Sequence, residues 1–185
     1  GNRKSADKLY PRTFNMGIKK EVFDQIGGFS NMRFGEDVDF SYKVKEGGYD
    51  SSLFEENWVY HKRRNTFRTF FKQVFNSGIA RINLEKRHPG TMKLVHMLPM
   101  FFTVGVLLLI LAAVVFRQMD YWNSTATGIL LPNRGFVPAY VICLMPIMLY
   151  TLLIFIDSSI KNRSVVIGFF SVEAAFVQLV GYGAG

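Results

Sequence analysis

MLPMFFTVGVLLLILAAVVF, residues 97–116, runs for 20 positions without an ionisable side chain. At 1.5 Å per residue a helix of that length covers about 30 Å, the thickness of a bilayer's hydrocarbon core. The stretch therefore predicts a membrane span. Working toward the C-terminus, FVPAYVICLMPIMLYTLLIFI (136–156) repeats the pattern, with Pro138 and Pro146 tolerable because neighbouring helices can re-satisfy the carbonyls a proline frees. A third apolar stretch, 165–185, is interrupted by Glu173. That carboxylate lies about nine residues in, or ~14 Å deep, where an ionisable group is a functional candidate by default or a protonated partner within the bundle.

Charge divides the chain at the same place. Residues 1–96 hold 18 Lys or Arg and 11 Asp or Glu, whereas 97–185 hold only 4 and 3. Residues 1–59 balance nine bases with ten acids, so the net charge of +8 comes from 60–96, with nine bases and the single acid Glu85. A generally basic surface for coating nucleic acid is excluded by that distribution. Cytoplasmic loops collect Lys and Arg, so 60–96 and the loop 157–164, with Lys161 and Arg163, are expected inside and the loop 117–135 outside. No secretory signal opens the chain. One cysteine, Cys143, excludes an intramolecular disulfide and a cysteine-based zinc site.

Just before the spans, a helix is predicted within 65–93. Phe67, Phe70, Phe71, Val74, Phe75, Ile79 and Ile82 share one broad face, with Arg68 and Arg81 at its edges. Such a face suits a helix lying in the inner leaflet, where anionic lipid attracts each juxtamembrane base by about 1 kcal/mol. The alternative is a helix packed on the soluble part.

Further upstream, PRTFNMGIKKEVFDQIGGF (11–29) predicts a short extended piece reaching Gly17, then about two turns of helix stopped by Gly27 and Gly28. FGEDVDFSYKVKEGGY (34–49) places Glu36, Asp37 and Asp39 in the first turn of a second helix, which runs to about Glu46 and stops at Gly47 and Gly48. Acids there complement the helix's positive end, each worth roughly 0.3–1 kcal/mol, and that alone could account for them. At ~100° per residue Asp37 and Asp39 point ~160° apart, so the three cannot share one site. Downstream, SLFEENWVYHKRRNTF (52–67) has the look of two short strands or extended pieces leading to His61 and three cations, Lys62, Arg63 and Arg64.

Taken in order, NMGIKKEVFDQIGGF, FGEDVDFSYKVKEGGY and WVYHKRR resemble the C-terminal half of a family 2 glycosyltransferase catalytic domain, followed by its membrane helices. The resemblance is to bacterial membrane-attached members that build cell-surface glycans, and it covers the chain from about Tyr10 onward. It implies a partial GT-A fold, α/β and Rossmann-like, over 1–64, a basic interfacial helix over 65–93, and an α-helical transmembrane region over 94–185, with helix dominating the whole.

The resemblance also implies roles. Asn15 and Gly17 would belong to the glycine loop near the acceptor, Glu36 and Asp37 to the acidic motif with Asp37 as catalytic base, and Arg63 and Arg64 to contacts with diphosphate or lipid phosphate. His61 would help hold a divalent metal, Mg2+ or Mn2+, on the diphosphate of a nucleotide-sugar donor. In an inverting transfer the acceptor hydroxyl attacks the anomeric carbon opposite the leaving nucleoside diphosphate, and a carboxylate within ~3 Å must take its proton. Expected partners are the nucleotide sugar, a lipid-linked or glycan acceptor and membrane lipid, with no nucleic acid. The expected location is a bacterial inner membrane, multi-pass, catalytic part cytoplasmic. The family's first nucleotide-binding strands and Asp-x-Asp have no counterpart here, which points to a fragment of a longer transferase. A non-catalytic membrane protein that docks lipid or a partner subunit through its basic helix is the competing expectation.

Overall fold

The structure, a computed structural model, describes residues 11–54, 56–62, 65–127 and 137–185, the side chains of 123–127 excepted. Arg63 and Arg64 lie outside the described residues. The chain forms two compact units that meet in sequence between His96 and Met97.

Among its described residues the first unit has three α-helices. A 3-10 turn, Thr13–Asn15, precedes α1 (Lys20–Gln25), α2 (Glu36–Glu46) and α3 (Phe67–Arg87). Gly27 and Gly28 follow α1 with φ of 74° and 63°, a left-handed path that ends the helix and turns the chain toward α2. Phe23 and Phe29 pack on Phe40 of α2, with ring centroids 5.7 and 4.5 Å away. Phe40 is 1% exposed, and its burial contributes on the order of 1.5–3 kcal/mol.

α3 crosses this layer through small residues. Ala80 and Leu84 are buried, and Ala80 approaches Gly35, where a Cβ would come within 3.1 Å of the Ala80 methyl. Gly35 also has φ 81°, so the entry to α2 favours glycine for its conformation, with the close Ala80 methyl adding to the constraint. Ala80, Leu84 and His88 form a stripe at four-residue spacing, about 120° around the helix from the centre of the phenylalanine face. The packed-helix alternative describes that stripe. The phenylalanine face is only partly covered, with Phe71 and Ile82 exposed and Phe67, Phe70, Val74, Phe75 and Ile79 half-buried.

The α/β expectation is not realised among the described residues, which contain no strand. The stretch reaching Gly17 and the described part of 52–66, expected as extended pieces or short strands, run without regular pairing. Trp58 and Tyr60 meet edge-on at 4.8 Å, the same-side i, i+2 relation of an extended backbone. A strand also needs a second edge to exchange hydrogen bonds with, and none of the described segments supplies one.

Among the described residues the second unit holds three helices long and apolar enough to cross a membrane: α4 (Leu94–Thr127), α5 (Ala139–Asn162) and α6 (Val165–Ala184). Leucines and valines on their outer faces, such as Leu107, Leu111, Leu149 and Leu153, remain exposed, an uncovered apolar surface far larger than a water-soluble monomer carries. α4 corrects the expected loop 117–135, because its helix continues through Arg117, Asp120 and Trp122 to Thr127. Leaving the apolar core does not end a helix: no proline or glycine occurs between Arg117 and Thr127 to stop it.

The loop expected at 157–164 contracts in the same way. α5 runs to Asn162, and only Arg163, in the left-handed region at φ 50°, and Ser164 separate it from α6. Phe155 stacks with Phe169 at 4.8 Å, Ser158 Oγ meets Ser171 Oγ at 2.6 Å, and Tyr150 meets Phe176 at 5.7 Å. The falling numbers on one helix against rising numbers on the other define an antiparallel hairpin. Gly168 permits its close approach, since a Cβ there would strike Phe155 and Ser159. Phe102 of α4 joins Tyr150 and Phe176 at 5.1 and 5.8 Å beside an apolar crevice of about 200 Å3. Glu173 is exposed on α6 and has no hydrogen-bond or ion-pair partner among the described residues.

Candidate functional site around the first turn of α2

The first turn of α2 sends its acids in three directions. Glu36 is half-buried. Asp37 is 7% exposed, its Oδ2 accepting from the Arg12 guanidinium at 3.0 Å and its Oδ1 from the Val38 backbone N–H at 2.9 Å. Asp39 is fully buried and faces the opposite way.

Asp39 is held by a closed set of partners. Ser30 Oγ donates to Oδ2 at 2.5 Å, His88 Nε2 lies 3.1 Å from Oδ1, and Lys43 Nζ stands 3.8 Å from Oδ2. The other nitrogen of His88 lies 2.6 Å from Glu46 Oε1, and the Tyr42 ring rests 4.9 Å from the imidazole. A buried carboxylate is tolerated only when paired and hydrogen-bonded, and this network meets that condition. It joins the two ends of α2 to the C-terminus of α3, so Asp39 is a structural acid.

His88 is placed by the turn that follows α3. Glu85 accepts from the backbone N–H groups of Gly90 at 2.8 Å and Met92 at 2.6 Å, and from Thr91 Oγ1 at 3.1 Å. Those backbone donors, Gly90 first, hold the Glu85 carboxyl below its usual range despite an opposing desolvation effect. The Arg81 guanidinium donates to the Thr91 carbonyl and closes the turn from the other side.

The acceptor-loop residues lie against the 57–61 segment. Asn15 Nδ2 donates to the Asn57 carbonyl at 3.4 Å, and Phe14 stacks face to face on His61, with centroids 4.5 Å apart and 2° between planes. Arg12, three residues before Asn15, reaches Asp37. Residues 12–15 thus touch both the acidic turn and the His61 segment, bringing three separate stretches of sequence together. Gly17 is exposed, with open space where a Cβ would be.

The metal expectation finds little donor chemistry. His61 is exposed and engaged by its ring face, and among the described residues no three His, Cys, Asp or Glu side chains converge as a cation would require. His61 can supply one ligand at most.

Arg12, Ser30 and His88 were not anticipated from sequence. The ~160° divergence of Asp37 and Asp39 already required a second set of partners for the inward acid. An imidazole at the end of the next long helix was one available candidate. No family model, curated protein or solved structure matches the chain.

Proposed function

We propose that the chain forms the acid-base segment and membrane anchor of a glycosyltransferase that moves a sugar from a nucleotide donor to a lipid-linked or polysaccharide acceptor. Asp37 is its base. The observation that carries this reading is the contrast between the two aspartates. Asp39 and its partners account for the helix's structural need, which leaves Asp37 at the edge of the turn, joined to an exposed arginine and to the loop that also meets His61.

In this reading the Asp37 carboxylate, oriented by Arg12 and the Val38 N–H, takes the proton of the acceptor hydroxyl as it attacks the anomeric carbon. Asn15 and Gly17 line the acceptor's approach, and Glu36 shares the turn. A divalent cation, when bound, would neutralise charge growing on the leaving diphosphate, with His61 as one ligand and the others coming from outside the described residues. Arg63 and Arg64 remain candidates for phosphate contact. The anchor is a multi-pass bacterial inner-membrane segment with the first unit on the cytoplasmic side.

Asp37→Asn in the complete polypeptide tests the assignment. Sugar transfer should fall by about 10²-fold or more while donor affinity changes little, as expected for loss of a general base. Transfer at the wild-type rate would remove Asp37 from the chemistry.

The partly exposed phenylalanine face of α3 favours a second reading, a non-catalytic membrane protein that docks lipid or a partner subunit through that helix. Saturable binding of a nucleotide sugar by the complete polypeptide separates the two, because only the transferase requires it.

A further inference from the structure

A cleft of about 410 Å3 opens between residues 31–34 and the second half of α3. Ile79, Asn83 and Lys86 recur on α3 at helical spacing, with Arg87 beside them, and Arg33 faces them from the opposite wall. Asn31 adds a second amide, and Met32 and Phe34 complete an apolar strip with Ile79. The Arg33 guanidinium lies 5.4 Å from the Phe34 ring centroid, which orients it on that wall.

No carboxylate lines the cleft, and among the described residues none of Arg33, Lys86 or Arg87 forms an ion pair. Three like charges gathered around one concavity repel one another, and a bound anion of matching charge relieves that repulsion. A carboxylate brings one negative charge. A phosphate brings up to two, with several acceptor oxygens for the guanidinium forks and amide donors. The apolar strip suits the ester portion of such a group.

We propose that this cleft is a phosphate-binding site, with Arg33, Lys86 and Arg87 as its charged walls and Asn31 and Asn83 as hydrogen-bond donors. The proposal is independent of the transferase reading, because it uses neither Asp37 nor His61. Two sources could supply the group: the head of an anionic lipid, or a soluble phosphate. Only six residues separate Arg87 from Leu94, where the first membrane-length helix begins, which brings lipid head groups within reach.

The test uses the whole chain in neutral detergent micelles, titrated calorimetrically with inorganic pyrophosphate and, separately, with short-chain phosphatidic acid. At least one should bind saturably. The triple variant Arg33→Gln, Lys86→Gln, Arg87→Gln should bind it about tenfold or more weakly, whereas Arg68→Gln with Lys72→Gln, exposed on α3 outside the cleft, should change it less than about twofold. Tighter binding of phosphatidic acid assigns the site to a lipid head group, and tighter binding of pyrophosphate to a soluble phosphate. Acetylation footprinting of the wild-type chain gives a second readout that needs no variant: the bound probe should protect Lys86 and leave Lys72 reactive. Failure of both probes to bind, equal protection of the two lysines, or equal losses in the two variant sets would overturn the proposal.

Discussion

Asp37 and Asp39 stand two positions apart on one helix, yet their partners separate them by role: an exposed guanidinium for the first, and a buried hydroxyl and imidazole for the second. Removing one member of a buried ionic set leaves the other uncompensated, at a cost of about 3–5 kcal/mol. Asp39→Ala should therefore lower the thermal midpoint of the chain in detergent far more than Asp37→Ala does, read by intrinsic fluorescence on heating. Equal shifts would refute the division of roles. Glu85 gives a pH dependence of known sign. Its folded pKa lies below the ordinary value of 4.5, so its contribution is present above pH 4.5 and is lost as the pH falls through the lower folded value. Glu85→Gln should flatten the midpoint's dependence on pH in that acidic window and leave its neutral-pH slope unchanged. The acids themselves were legible in the sequence, and so was their divergence. The partners were not, because Ser30 and His88 reach Asp39 only through tertiary packing that periodicity does not encode.

At the scale of elements, the most apolar face of α3 is not the one that packs against the entry to α2. Its phenylalanines dominate any count of apolar residues, while the helix packs through Ala80 and Leu84, whose small or single branched side chains let it approach Gly35. The end points of α1 and α2 were readable because glycines with positive φ stop both helices, at Gly27 and Gly28 and again at Gly48. The lengths of α4 and α5 were not, since polar residues outside an apolar core carry no stop signal. Gly35→Ala should destabilise the first unit by about 1–2 kcal/mol from left-handed strain alone, with more from the Ala80 contact, and Ala80→Gly in the same chain should recover only the second part. A double-mutant thermal series measures both. Additive losses would show that the two residues do not meet.

For the whole molecule, charge and hydropathy place the two units in different surroundings. Nearly all the ionisable groups belong to the first, and the second exposes leucine and valine that water would not tolerate. Three apolar helices could be read from composition alone, because a hydrocarbon solvent imposes a length that short-range packing cannot disguise. The α/β layer carried no comparable signal, as a strand exists only with its neighbour. Replacing Cys143 by serine and introducing single cysteines at Tyr49, Ser164 and Ser124 tests the orientation proposed from loop charge. A membrane-impermeant maleimide should label the first two from the cytoplasmic side and the third from the outer side. Labelling of Ser164→Cys and Tyr49→Cys from opposite sides would refute it.

The two-residue link between α5 and α6 has a mechanical consequence. With Arg163 and Ser164 as its whole length, the adjoining ends of the two helices can move apart by no more than about 10 Å, so any opening of the pair has to start from the far ends.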